Sequence, residues 1–141
     1  MSGADGNWPY SGEIDIYEGV GNNVQNTVSY HTSAGCIYDL SQPQTGAFNS
    51  AQGTDCNALQ HNDEACGNVD PSTTSFGSGA SNVGGGVYAL EWTSSHIKVR
   101  LNPSIHGYFP DVLTRYGIST VTASQVILRT AILIQEAGPP L

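Results

Sequence analysis

Basic side chains are scarce in this chain: lysine and arginine together number four among 141 residues, against twelve aspartates and glutamates, for a formal charge of −8. A phosphate backbone or an anionic lipid surface needs positive charge opposite it, so neither nucleic acid nor membrane is an expected partner. A neutral polymer carries no such requirement. Long apolar runs are lacking as well. Residues 118–134 are moderately apolar, but Ser119, Thr120, Thr122, Ser124, Gln125, Arg129 and Thr130 interrupt them, which excludes a transmembrane helix there. Met1-Ser2-Gly3-Ala4-Asp5 has neither a basic start nor an apolar core, so no signal peptide is expected at that position. With 11% charged residues, 17 glycines and abundant Ser, Thr and Asn, the composition is one of short strands and many turns, hence an all-β fold in a single domain.

Cysteine is sparse and odd in number. Cys36, Cys56 and Cys66 lie in a Gly- and Asn-rich stretch with few aliphatic residues, at spacings that fit no zinc pattern. One disulfide would constrain this stretch and stabilise it by about 2–4 kcal/mol. Cys36 with Cys66 is the expected pair, because those two bracket the loop and leave Cys56 free; three unpaired thiols are the alternative. His61, His96 and His106 stand at no ligand spacing to Cys or carboxylate, so no metal or other cofactor is expected.

What the chain does have is Glu13-Ile14-Asp15-Ile16-Tyr17-Glu18, three carboxylates in six residues close after Trp8. In a strand, Glu13 and Asp15 share one face while Ile14 and Ile16 enter the other. Glu18 breaks the alternation. One extra residue in a β-bulge near Tyr17 resets it and returns Glu18 to the acidic face. Aligned like charges repel, and a fold has little reason to gather them unless chemistry needs them. Retaining glycoside hydrolysis does: it takes one carboxylate as nucleophile and one carboxyl as acid, about 5–5.5 Å apart. Glu13 and Glu18 are long enough to lean together from a bent strand. A solvated acidic edge strand is the plainer alternative.

Gly19 to Gln25 is rich in turn-forming Gly and Asn and predicts a hairpin between Glu13–Glu18 and Asn26–His31. Centring the turn near Asn22 sets Glu13 opposite His31 and Asp15 opposite Ser29, and one bulge residue then sets Glu18 opposite Thr27. The polar residues Thr27, Ser29 and His31 thereby join the acidic face, while Val28 and Tyr30 alternate with them. Residues 33–86 read as a long ordered loop with short extended pieces. Val87–Trp92 and Ile97–Val99 read as a second hairpin across Thr93-Ser94-Ser95-His96.

Asn7-Trp8-Pro9-Tyr10-Ser11-Gly12, followed by the carboxylate strand and Gly19-Val20, closely resembles the catalytic strand of glycoside hydrolase family 16, in its fungal laminarinase and mixed-linkage glucanase branch. The resemblance continues through Tyr30-His31-Thr32-Ser33-Ala34-Gly35-Cys36, Thr54-Asp55-Cys56-Asn57, Ala65-Cys66-Gly67 and Gly84-Gly85-Gly86-Val87-Tyr88-Ala89-Leu90-Glu91-Trp92-Thr93-Ser94. It stops near Val99. Residues 1–99 are therefore expected to be the central part of such a catalytic domain, and residues 100–141 a divergent or frame-shifted tail.

The resemblance implies a jelly-roll sandwich of the concanavalin A-like kind, incomplete in this chain, whose concave face holds an extended β-glucan. It implies endo-hydrolysis of β-1,3 or mixed β-1,3/1,4 linkages with retention, by a monomeric and extracellular parent enzyme. By the same resemblance Glu13 is the nucleophile, Asp15 tunes it and Glu18 is the acid/base. The family also carries a His lining the cleft at the place of His31, against the alternative of a core histidine satisfied by a backbone partner. From its place beside the strand, Trp8 is expected either to stack on sugar or to pack as a core aromatic, and Tyr10 and Asn7 to stand at the cleft rim. Trp92, alternating with Leu90 and Tyr88, is expected to pack in the core. The alternative to an enzyme is a glucan-binding or inactive truncated product.

Overall fold

The computed structural model describes residues 7–50, 53–60, 66–92, 96–102, 121–123 and 135–136. Its strands are β1 Glu13–Glu18, β2 Thr27–His31, β3 Cys36–Tyr38, β4 Ala47–Asn49, β5 Cys66–Val69, β6 Val87–Trp92, β7 Ile97–Asn102, β8 Val121–Ala123 and β9 Gln135–Glu136. A 3-10 turn occupies Ala58–Gln60, and the short helix α1 spans Gly77–Asn82. The strands pair antiparallel into two sheets, ordered β1-β2-β5-β4 and β3-β8-β7-β6-β9. This is the all-β fold that the composition predicts, arranged as the jelly-roll sandwich that the resemblance implies.

The inner faces follow the period of two. Val28 and Tyr30 of β2 are fully buried and meet Tyr88 and Leu90 of β6 and Ile97 and Val99 of β7 in one core, with Tyr38, Cys56 and Cys66. Ile14, Ile16, Tyr17 and Trp92 pack against that cluster, so Trp92 is a packing residue as expected. The expected β6–β7 hairpin forms with Trp92 opposite Ile97, and its ladder runs on to Val87 opposite Asn102. Its turn residues Thr93-Ser94-Ser95 lie outside the described residues. Glu91, beside this turn, accepts from His96 at 2.9 Å and from Arg100 at 3.0 Å, and the His96 hydrogen bond, ahead of the Arg100 charge, holds its carboxyl below the usual range. The division at Val99 falls inside β7, and the chain beyond it contributes β8, paired with β3 and β7, and β9, paired with β6.

The disulfide joins Cys56 to Cys66, with Cα atoms 4.9 Å apart, and Cys36 is the free cysteine. This corrects the expected pairing of Cys36 with Cys66. The reason lies in strand placement. Cys66 opens β5 opposite Tyr30 of β2, and the segment around Cys56 is drawn along the end of the same strand. The Thr32 N–H donates to the Cys56 carbonyl at 3.0 Å, the Ala58 N–H donates to the Thr32 carbonyl at 2.9 Å, and Thr32 bridges Asn57 in parallel. Cys36 stands on β3, which belongs to the other sheet.

The stretch 33–86 is more structured than its composition suggests. β5 carries Gly67 where a Cβ would run into the Val28 carbonyl, so the glycine lets β5 lie close against β2. In α1, a Cβ on Gly77 would come within 2.6 Å of the Asn23 carbonyl, and one on Gly79 would meet the Thr73 carbonyl. Close backbone approach accounts for a helix built on Gly-Ser-Gly-Ala-Ser-Asn, which intrinsic propensity disfavours.

Candidate active site

β1 and β2 form the site. Their register is Glu13 to His31, Ile14 to Tyr30, Asp15 to Ser29 and Glu18 to Thr27, with a shift between Asp15 and Glu18. Three steps on β1 match two on β2, which is the single-residue bulge expected from the parity of the sequence. Ile16 and Tyr17 consequently both pack toward the core, and Glu18 returns to the acidic side. Tyr17 is held from behind by Phe76, ring centroids 4.5 Å apart, and by Tyr88 in an edge contact at 5.1 Å.

Each carboxylate has a different partner. The Trp8 indole N–H donates to Glu13 Oε2 at 2.6 Å. His31 Nε2 lies 3.2 Å from Asp15 Oδ2. The Ser29 hydroxyl donates to Glu18 Oε2 at 2.6 Å. Trp8 and His31 are also ring neighbours, centroids 6.0 Å apart, so Trp8, Glu13, His31 and Asp15 form one continuous surface across the two strands. Short charge-assisted hydrogen bonds of this kind hold a carboxylate in one orientation and offset part of the repulsion within the row.

The structure brings together Trp8, Glu13, Asp15, Glu18 and His31 from the expected set. Tyr10, 63% exposed, and Asn7, also exposed, sit in the turn before β1, where the Ser11 N–H donates to the Asn7 carbonyl at 3.2 Å and the Gly12 N–H to the Pro9 carbonyl at 2.9 Å. Gly12 leaves this turn at φ +72°, a left-handed conformation suited to glycine. Glu13, Asp15 and His31 offer one donor atom each within 4.8 Å of one another, a set able to contact a cation as well as a sugar hydroxyl. His61 and His106 lie outside the described residues.

Two functional side chains escaped the motif reading. Ser29 was legible as a register partner of Asp15, yet its hydroxyl reaches Glu18, because the bulge slides Glu18 back along the ladder. Asn26, just before β2, is fully buried beneath the bulge. Its Oδ1 accepts from the Glu18 N–H at 2.9 Å and its Nδ2 donates to the Ile16 carbonyl at 2.9 Å. The available signal was an amide residue at the hairpin's entry to β2, level with the carboxylate that breaks parity.

Comparison with known proteins places the chain in a family. Residues 2–114 match the family model described as an XgeA-like catalytic domain of glycoside hydrolase family 16, a match that passes beyond Val99. A probable glycosidase of Schizosaccharomyces pombe is 39% identical over 94 residues, covering 64% of this chain and 22% of that protein. A probable endo-1,3(4)-β-glucanase of Aspergillus flavus is 37% identical over 97 residues, covering 66% of this chain and 13% of that protein. The chain thus spans less than a quarter of the length of these relatives. Among solved structures, a mutant laminarinase 16A that cyclises laminariheptaose superposes with a TM-score of 0.65 at 32% identity, over 85% of this chain and 41% of that one. Laminarinase 16A from Phanerochaete chrysosporium, holding 6-O-glucosyl-laminaritriose in donor and acceptor sites, gives a TM-score of 0.65 at 35% identity, over 81% of this chain and 38% of that one. With the family model matching most of this chain and the sandwich shared with laminarinases, this chain belongs to glycoside hydrolase family 16.

Proposed function

We infer that this chain carries the catalytic row of a retaining endo-β-glucanase acting on β-1,3 or mixed β-1,3/1,4 glucan. The observation that carries the reading is the bulge, which returns Glu18 to the side of Glu13 and Asp15. Glu13 attacks the anomeric carbon while the Glu18 carboxyl protonates the departing glycosidic oxygen, so the C–O bond breaks as the glycosyl ester forms. Glu18, now a carboxylate, takes a proton from water; the water attacks the same carbon and releases Glu13. The Trp8 N–H fixes Oε2 of Glu13 and leaves Oε1 as the attacking oxygen. Asp15, paired with His31, sits between the two roles.

Support for the substrate class comes from the glucanase relatives and from the laminarinase holding a β-glucan oligosaccharide. A further neighbour is an elongating β-1,3-glucosyltransferase of the same family, with a TM-score of 0.63 at 35% identity. In this reading the row works inside a longer cleft, consistent with the 41% of the laminarinase chain that is covered. The Cys56–Cys66 disulfide fits work outside the reducing cytosol.

The test is hydrolysis of laminarin and lichenan, with the anomeric configuration of the first product followed by proton NMR. The chain alone and the chain joined to the remaining cleft strands of the matched laminarinase are compared. The expected result is β-configured product from the joined protein, abolished by Glu13→Gln, and little turnover by the chain alone. Product of inverted configuration, or turnover that survives Glu13→Gln, overturns the reading.

A further inference from the structure

We propose that Asn26 is the positioning residue that sets the aim of Glu18, by closing the bulge of β1 with its side-chain amide. This inference rests on the reading of Glu18 as acid/base. A bulge leaves backbone groups of the longer strand without ladder partners. Here those groups are the Ile16 carbonyl and the Glu18 N–H, and Asn26 satisfies both, donating through Nδ2 to the first and accepting through Oδ1 from the second, each at 2.9 Å. One planar amide thereby stands in for a missing ladder rung. An unsatisfied pair at this depth would favour return to the regular register, which turns Glu18 to the opposite face.

The amide is itself held in place. Asn26 is completely buried, its N–H donates to Ser75 Oγ at 2.9 Å, and its carbonyl accepts from the Asp70 N–H at 2.8 Å. The Ser75 hydroxyl donates onward to the Ser72 carbonyl at 2.7 Å, and the Tyr88 hydroxyl of β6 donates to the Ser75 carbonyl. The path runs from the second sheet through the 70–75 loop to the bulge. Above the bulge the Ser29 hydroxyl bonds the Glu18 carboxylate. The backbone beneath Glu18 is thus fixed by Asn26, and the carboxylate tip by Ser29.

The experiment has two arms. In the first, amide exchange of this chain is followed by NMR, with the trans-hydrogen-bond coupling from the Glu18 N–H to the Asn26 side-chain carbonyl measured in the unsubstituted protein. The coupling should be detectable, and Asn26→Ala should speed Glu18 amide exchange by about tenfold or more relative to the amides of β6. Asn26→Asp, which keeps an acceptor toward Glu18, should retain most of that protection and serves if the alanine variant does not fold. An absent coupling, or unchanged protection in Asn26→Ala, overturns the proposal.

The second arm separates aim from general stability. It uses the joined protein with laminarin and with 2,4-dinitrophenyl β-laminaribioside, whose leaving group needs no proton. Asn26→Ala should lower kcat/KM on laminarin by about a hundredfold, the usual scale of general-acid assistance, while kcat/KM on the dinitrophenyl substrate, which reports only formation of the glycosyl ester, changes by less than about threefold. Equal losses on both substrates overturn the proposal. If the unsubstituted joined protein turns over neither, the glycosidase reading fails, and the exchange arm still decides whether Asn26 closes the bulge.

Discussion

Trp8 donates its indole N–H to Oε2 of Glu13 across 2.6 Å, reaching into β1 from the turn that precedes it. The bond joins a bulky aromatic to the proposed nucleophile and fixes which carboxylate oxygen faces the cleft. Trp8→Phe keeps most of the ring and removes only the donor. A hydrogen bond to a charged group contributes about 1.5–3 kcal/mol, so kcat/KM of the joined protein on laminarin should fall by about ten- to a hundredfold. Steady-state kinetics paired with a thermal melt check this, the melt moving little.

The bridge between Cys56 and Cys66 predicts a second outcome. Peptide mapping without reduction should link those two residues and recover Cys36 as a thiol. Closing so short a loop stabilises by about 2–3 kcal/mol on the chain-entropy account. Cys56→Ser should therefore shift the urea midpoint strongly downward, whereas Cys36→Ser, at a partly exposed position, should leave it close to its starting value.

The reach of the sequence differs from element to element for physical reasons. The β1–β2 register was legible to the residue, because the period of two and the misplaced Glu18 together demand one extra residue. Strands β6 and β7 were legible from Val, Leu, Tyr and Ile in alternation. β5 and α1 were not, since Cys66–Val69 and Gly77–Asn82 hold their shape through backbone contacts with Val28, Thr73 and Asn23, and no local propensity encodes those. The cysteine pairing depended on a bridge between Thr32 and Asn57 that spacing does not announce. The role of Asn26 follows only once the bulge has a position in space.

Burial beside Asn68 and Gln44 gives an alkaline signature. Tyr38 is 1% exposed, and burial pushes its hydroxyl up to about 12 despite the two side-chain hydrogen bonds that pull the other way. Tyr88, buried on β6, is pushed up for the same leading reason, with the negative charges of Tyr17 and Asp70 adding to it. The folded chain keeps protons that the unfolded chain releases from about pH 10 upward. Fewer protons on the unfolded side means that stability is full below about pH 10 and is lost as pH rises toward about 12. Urea unfolding at pH 8 through 11 should show this decline, and Tyr38→Phe should make it shallower. An unaltered slope in that variant would exclude Tyr38 as a source.

Ser29 isolates the carboxylate tip from the backbone beneath it. It is 8% exposed, stands opposite Asp15 in the register and donates to Glu18 Oε2 at 2.6 Å. Ser29→Ala removes that donor and leaves Asn26 on the bulge, so the strand stays in place while the carboxyl gains freedom to rotate. A freed acid spends less time aligned on the glycosidic oxygen, a loss that formation of the glycosyl ester feels only when the leaving group needs its proton. For the joined protein the expected outcome is a fall of about tenfold in kcat/KM on laminarin with less than about twofold in kcat/KM on the dinitrophenyl laminaribioside. Ser29→Thr, which restores a hydroxyl at the same place, should recover most of the laminarin rate. Equal losses on the two substrates, or no recovery with threonine, would mean that Ser29 serves the sheet and leaves the aim of Glu18 unaffected.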